Sequence, residues 1–174
     1  VPPTGFPTNL LAIAPGPDNS WYLGGTFPPV LGTGASNILR VTRTFAPASS
    51  WAPPASPNGT IQHAAALPDG RLFVGGNFTA WGDSSRTGLA LILPDGNVGP
   101  TGSSLDVTNV TALMSDARGR IYVSGGFTQI SGLDVPGLTR FSSSGDLEAF
   151  FRPNAADYGS FTSFAPLAPE GVAL

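Results

Sequence analysis

The chain contains no cysteine, no lysine and a single histidine, His63. Each absence excludes a chemistry. Without cysteine there is no disulfide, no thiolate nucleophile and no thiolate metal site. The lack of disulfides does not fix the compartment, because a chain of 174 residues can bury a core without them. Without lysine there is no Schiff base, no phosphate-loop lysine and no isopeptide bond to asparagine. One histidine makes neither a dyad nor a metal cluster, and a lone histidine in a strand reads as packed or hydrogen-bonded. Charge is also scarce. Charged residues make up 11% of the chain, against about 25% in an average soluble domain. The net charge is −3 and the 8 cationic residues are scattered arginines, so no nucleic-acid footprint is present. No apolar run approaches the roughly eighteen residues of a membrane span. No apolar pattern of helical period extends over about twelve residues. The first residue is Val1, not methionine, which fits a processed chain, a removed signal peptide or an excerpt.

What the chain has in plenty is turn residues, 23 Gly and 18 Pro, alongside 41% apolar residues. That mixture favours many short strands over helices, and it argues against disorder. One design occurs three times. Pro68-Asp69-Gly70 is followed by Arg71-Leu72-Phe73-Val74-Gly75-Gly76-Asn77-Phe78. The earlier copy runs from Pro17 through Trp21-Tyr22-Leu23-Gly24-Gly25-Thr26-Phe27. The later one runs from Ala117 through Ile121-Tyr122-Val123-Ser124-Gly125-Gly126-Phe127. Tyr22 and Phe73 are 51 positions apart, as are Phe27 and Phe78; Phe73 and Tyr122 are 49 apart, as are Phe78 and Phe127. A fixed period near fifty residues marks a repeat architecture.

The predicted fold is all-β: one domain of tandem four-stranded antiparallel units. Residues 1–9 form a tail, and the units span 10–59, 60–109 and 110–160, with a partial fourth at 161–174. Predicted strands are Leu10–Ala14, Trp21–Phe27, Ile38–Arg43 and a short Ser50–Ala52 in the first unit. The second has Ile61–Leu67, Arg71–Phe78, Leu89–Leu93 and Val98–Thr101. The third has Val110–Met114, Arg120–Gln129, Leu138–Phe141 and Leu147–Phe151. Phe161–Leu167 and Val172–Leu174 open the fourth. Leu23, Val74 and Val123 align, as do Trp21, Leu72 and Ile121. These strands are apolar on both faces, so each sheet is expected to be covered on both sides by its neighbours. The pairs Gly24-Gly25, Gly75-Gly76 and Gly125-Gly126 read as places where a strand bends beside the next unit.

The pattern resembles the delta-60 repeat of bacterial β-propeller-like proteins. Pro68-Asp69-Gly70 through Phe78 carries the likeness, with Leu39-Arg40-Val41 and Thr139-Arg140-Phe141 for the middle element. Gly145-Asp146-Leu147-Glu148 and Phe151-Arg152-Pro153 supply the closing one. The resemblance implies a β-propeller-like stack. A propeller closes with roughly 4–8 blades, and this chain holds about 3.4 units, so the ring is expected to be incomplete.

No catalytic, metal or cofactor site is expected. Asp69, Asp95 and Asp146 sit in turns, where aspartate bonds its own backbone. Asp83 and Asp134 lack the dense spacing of a calcium loop. Trp51 and Trp81, in loop contexts, are candidates for stacking on glycans, whereas Trp21 reads as core. Asn58, Asn77 and Asn109 head N-glycosylation signals; Asn58 in its irregular connector is the best placed, and Asn77 reads as structural. The tail and the unfinished unit point to association between copies. Val1, Phe6, Phe161, Phe164, Leu167, Val172 and Leu174 are the expected joint. The function expected is a non-enzymatic extracellular or cell-surface structural protein. It assembles head to tail by strand complementation through its termini, into a fibril if the joint does not close. Its expected partners are copies of itself and glycans, with no nucleic acid and no membrane span. The alternative is a piece of a larger secreted propeller that binds carbohydrate or protein through its loops.

Overall fold

The computed structural model describes residues 7–30, 32–99, 107–151, 153, 161–167 and 171–173. The first unit contributes β1 (Leu10–Pro15), β2 (Trp21–Gly25) and β3 (Ile38–Val41). The second has β4 (Ile61–Ala66) and β5 (Leu72–Gly76), a small hairpin of β6 (Ala80–Trp81) and β7 (Ser84–Ser85), then β8 (Leu89–Ile92). The third repeats that plan as β9 (Val110–Ser115), β10 (Ile121–Gly125), β11 (Gln129–Ile130), β12 (Leu133–Asp134) and β13 (Leu138–Phe141). A last hairpin joins β14 (Ala165–Leu167) to β15 (Gly171–Ala173). The main sheets are antiparallel meanders ordered β1-β2-β3, β4-β5-β8 and β9-β10-β13. No helix among the described residues is long and apolar enough to cross a membrane.

The fourth segment of each unit is reduced to one bridge: Val41 with Pro47, Ile92 with Val98 and Phe141 with Leu147. In the first unit it falls at Pro47 and not at Ser50–Ala52. Proline has no N–H to continue a ladder, and Trp51 turns inward to the core instead. The hairpins β6–β7 and β11–β12 occupy stretches that read as loops in the sequence.

Register makes the repeat physical. Tyr22 pairs with Arg40, Phe73 with Leu91 and Tyr122 with Arg140. Where the second strand has tyrosine, the third has arginine over its ring, with Cζ 6.0 Å from the Tyr22 centroid and 5.8 Å from that of Tyr122. Where it has phenylalanine, the partner is leucine. The two residues change together because they share one cross-strand contact.

Each sheet turns one face back toward the preceding unit and one forward to the next. Ala12, Ala14, Tyr22, Ile38 and Trp51 meet the back face of the second unit at Ile61, Leu72, Val74, Ala90 and Ile92. Phe73, Leu89 and Leu91 meet the third at Val110, Ile121, Val123, Phe127 and Phe141. The approach is close. A Cβ on Gly24 would run into Ile61, and one on Gly75 would stand 2.8 Å from a Val110 methyl. The third unit differs from the expected Gly125-Gly126 pair. Ser124 lies opposite Leu138, as Gly75 lies opposite Leu89, so Ser124-Gly125 is the equivalent pair. With no small-residue gap there, Ser124 Oγ and Thr111 Oγ1 donate to the Phe161 carbonyl at 2.9 and 2.6 Å.

Candidate interaction faces

The back face of the first unit has no sheet against it among the described residues. Its equivalents in the next two units are buried: Ile61 and Leu72 in one, Val110 and Ile121 in the other. Here Leu10 is 39% exposed, Ile13 60% and Trp21 38%. Leu11, at the bulge of β1, adjoins them and is also exposed. Part of the face is closed locally. Phe27 and Val30 fold over Leu23, Leu39 and Val41. Val30 is held there by a backbone bond to Ala35 at 2.9 Å. Phe45, in the turn after β3, is exposed as well. One other large apolar side chain is open to solvent among the described residues, Phe150, beyond β13 at the far end of the stack.

The expected joint residues fall differently. Phe161 is buried against Leu138, with Phe164 stacked on it at a centroid distance of 6.4 Å. Phe161 fills the slot that Ile61 and Val110 fill earlier, so both rings belong to the chain's own last interface and not to an open end. Leu167 and Val172 lie on the paired strands β14 and β15. Val1, Phe6 and Leu174 lie outside the described residues.

Trp51 and Trp81 do not present stacking faces. Trp51 is fully buried, edge-on to Tyr22 at 5.5 Å. Trp81 is 2% exposed, edge-on to Phe78 at 5.8 Å, and its Nε1 donates to the Ala55 carbonyl at 3.0 Å. A connector and a short hairpin with little apolar pattern thus deliver the largest side chains between the sheets, where burial of an aromatic contributes most.

The glycosylation candidates are also accounted for. The Asn58 amide donates to Thr79 Oγ1 and accepts from the Thr79 and Ala80 N–H groups, at 2.9 to 3.0 Å. It pins the connector to β6 and is not presented as a free amide. Asn77 accepts from the Thr60 N–H at 2.7 Å. Asn109 is exposed at a φ of 53°. A fourth asparagine, unmarked in the sequence, does similar work: Asn37 accepts from the Phe27 N–H at 2.9 Å and donates to the Pro57 carbonyl at 3.2 Å.

The acids serve turns. Asp69 takes Arg71, and that hydrogen bond holds its carboxyl below the usual value. Burial works to raise the Asp116 carboxyl, but the Arg120 amide and guanidinium and the Arg118 amide outweigh it and keep it low. Asp134 accepts from Gln129 at 2.7 Å. No group of three or more potential metal ligands gathers among the described residues. His63 is partly buried; burial depresses its basicity, and a hydrogen bond with the Val110 backbone offsets part of that. A groove of about 330 Å³ lies where the first turns of the three units meet, lined by Pro15, Pro17, Leu67, Pro68, Ser115 and Asp116 among others. Its polar groups are already engaged, Ser115 with the Ala66 carbonyl at 2.7 Å and Asp116 with Arg120 at 2.6 Å.

Residues 67–101 and 119–151 match a family described as a domain of unknown function (DUF5122), beta-propeller. The chain is a β-propeller-like repeat protein. Both matched stretches run from the turn before a blade's second strand to its closing segment, in blades 2 and 3. The first blade lies outside the matched residues. No curated protein matches the chain.

Proposed function

We propose that the chain is a non-enzymatic structural protein of the cell exterior that associates head to tail with copies of itself. Its blades are of the delta-60 kind, on their Pro-Asp-Gly turns and Gly-Gly-x-Phe strands. One observation carries the reading. The back face of blade 1 is open and apolar, whereas the same face of blades 2 and 3 is closed by the forward face of a sibling blade. The chain therefore contains, twice over, the complement of the surface it leaves open. The hairpin β14–β15 is a two-stranded sheet, whose edges a strand from a second copy can extend. A joint of this kind that does not close generates a filament. The absence of cysteine and lysine and the backbone engagement of His63 support a non-catalytic role. Low charge and abundant serine, threonine and proline support an exterior location.

Light scattering across a concentration series tests this. The parent chain should grow with concentration, and Ile13→Asp should remain monomeric with an unchanged circular dichroism spectrum. Deleting residues 1–9 should likewise release monomers. A parent chain that is monomeric throughout would refute the proposal. In the rival reading, a larger secreted propeller that binds carbohydrate or protein through its loops, blades of the same polypeptide close the face. The mass of the native chain separates the two.

A further inference from the structure

The connector from blade 1 to blade 2 ends on the pair Asn58-Gly59. It runs beside β6 like a third strand. The Asn58 N–H donates to the Ala80 carbonyl at 3.0 Å, the Gly82 N–H donates to that of Ser56 at 3.1 Å, and Pro57 bridges Trp81. The Asn58 side chain closes this arrangement. Its Oδ1 accepts the Thr79 and Ala80 N–H groups, and its Nδ2 donates to Thr79 Oγ1 at 2.9 Å. Asparagine supplies an acceptor and a donor on one short arm. The next position is constrained independently. A Cβ on Gly59 would stand 2.8 Å from the Phe78 Cα and 3.0 Å from the Asn77 carbonyl oxygen, both of them backbone. Only glycine leaves room for so close an approach. Two unrelated packing demands thus place asparagine directly before glycine.

That pair has a chemistry of its own. Because the second residue has no side chain, its backbone nitrogen meets little steric resistance in reaching the carboxamide before it. The Gly59 nitrogen attacks Asn58 Cγ, and the new N–Cγ bond closes a succinimide ring. The Cγ–Nδ2 bond breaks, and the proton of the Gly59 N–H ends on the departing ammonia. Water then opens the ring at either carbonyl, giving aspartate or isoaspartate. The fold decides when this can happen. The nitrogen that must leave is the one held by Thr79, so the reaction cannot finish without breaking that bond.

We propose that Asn58 is a self-modification site, converted through a succinimide with Gly59 and gated by release of the connector from β6. The two products differ in consequence. An aspartate at this position still accepts both N–H groups, and the Thr79 hydroxyl, able to donate as well as accept, meets the new oxygen. An isoaspartate runs the main chain through the former side chain and leaves its carboxylate one carbon shorter. It cannot reach the Ala80 carbonyl with its N–H and the β6 amides with its carboxylate at once. Aspartate formation therefore leaves the connector in place, and isoaspartate formation frees it. Release lowers the local order of one junction between blades while the sheets on either side stay paired.

The test is a time course of the full chain at mildly alkaline pH, folded and in guanidinium chloride, read by peptide mass mapping. Trypsin releases a peptide from Thr44 to Arg71 in which Asn58 is the one asparagine. Its deamidation should be at least about tenfold slower in the folded chain, with aspartyl and isoaspartyl forms separated by chromatography. Thr79→Val removes the acceptor of Nδ2 and should bring the folded rate toward the denatured one, with circular dichroism unchanged. Thr79→Ser keeps the hydroxyl and should keep the parent's rate. Asn58→Asp should hold the parent's denaturation midpoint, and Asn58→Ala should lower it. Equal rates in the folded and denatured chains overturn the gate, as does a Thr79→Val rate equal to the parent's. A midpoint lowered as far by Asn58→Asp as by Asn58→Ala overturns the difference between the products. A denatured chain that gains no deamidated form of this peptide overturns the site itself.

Discussion

The back faces of blades 1 and 2 are built from the same pattern and live in different surroundings. Leu10 and Trp21 stand where Ile61 and Leu72 stand one blade later, yet the first two are open and the second two fully buried. Burial in a stack of this kind is set by the neighbour and not by the strand's own sequence. Blade 1 responds with a partial cover of its own, Phe27 and Val30, and leaves the inner edge of the face apolar. Leu10, Leu11 and Ile13 stay exposed beside that cover.

Truncating the equivalent residues of the two faces should have very different effects. Ile61→Ala should cost about 2–5 kcal/mol in urea unfolding. Leu10→Ala, its equivalent, should stay within about 0.5 kcal/mol in the monomer. Equal losses would mean that the open face is covered after all. A second contrast concerns the close approach between blades. Gly75→Ala places a methyl against Val110 and should cost about 1–3 kcal/mol; trimming the other side with Val110→Ala should return part of it in a double-mutant cycle.

A third prediction compares the back face of blade 3 with its siblings. Thr139 stands where Leu39 and Ala90 stand, fully buried, and its Oγ1 has no hydrogen-bond partner. Thr139→Val should therefore raise stability by about 1 kcal/mol, seen as a higher denaturation midpoint. The smallest effect belongs to His63, which replaces the Ala12 and Ala112 of the other blades. Its folded pKa lies below the ordinary 6.5 because burial disfavours the charged ring. The unfolded chain then binds the proton more readily. Stability should fall as pH drops through 6.5 and level off once the folded-state value is passed, at no more than about 1.4 kcal/mol per pH unit. His63→Ala should remove that slope, and a slope unchanged by it would place its origin in the carboxylates.

Much of this fold was legible in the sequence, because the second strand of each unit carries its own register marks. The aromatics at 22, 73 and 122 and at 27, 78 and 127 suffice to align three blades, and the structure keeps that alignment. The burial of Trp51 and Trp81 was not legible, since neither the Pro/Ser/Ala-rich connector around Trp51 nor the Gly82-Asp83-Ser84-Ser85 stretch after Trp81 has a periodicity to show which way a ring points. The bonds from Asn58 to Thr79 and Ala80 were not legible either, because a sequon and a capping asparagine share the same few residue types. Phe161 and Phe164 looked like the unfinished end, but the last interface needs a residue at the place of Val110, and Phe161 supplies it.

The arginines that sit over rings and beside turn acids have a consequence for proteolysis. Arginine is the only residue in this chain at which trypsin can cut, there being no lysine. Arg40, Arg71, Arg120 and Arg140 are each held by a carboxylate and partly or fully covered. Arg86 is also partly covered. Among the described residues Arg43 and Arg118 are the exposed ones, and both lie in turns. Cleavage of a folded chain proceeds where backbone can open locally. Limited digestion should therefore nick these two turns first and spare 44–118, the whole of blade 2 with the strand that begins blade 3. The packing of blade 1 on blade 2 and the β9–β10 ladder would still hold the pieces together, so the nicks would show on a denaturing gel and not in the mass of the native particle.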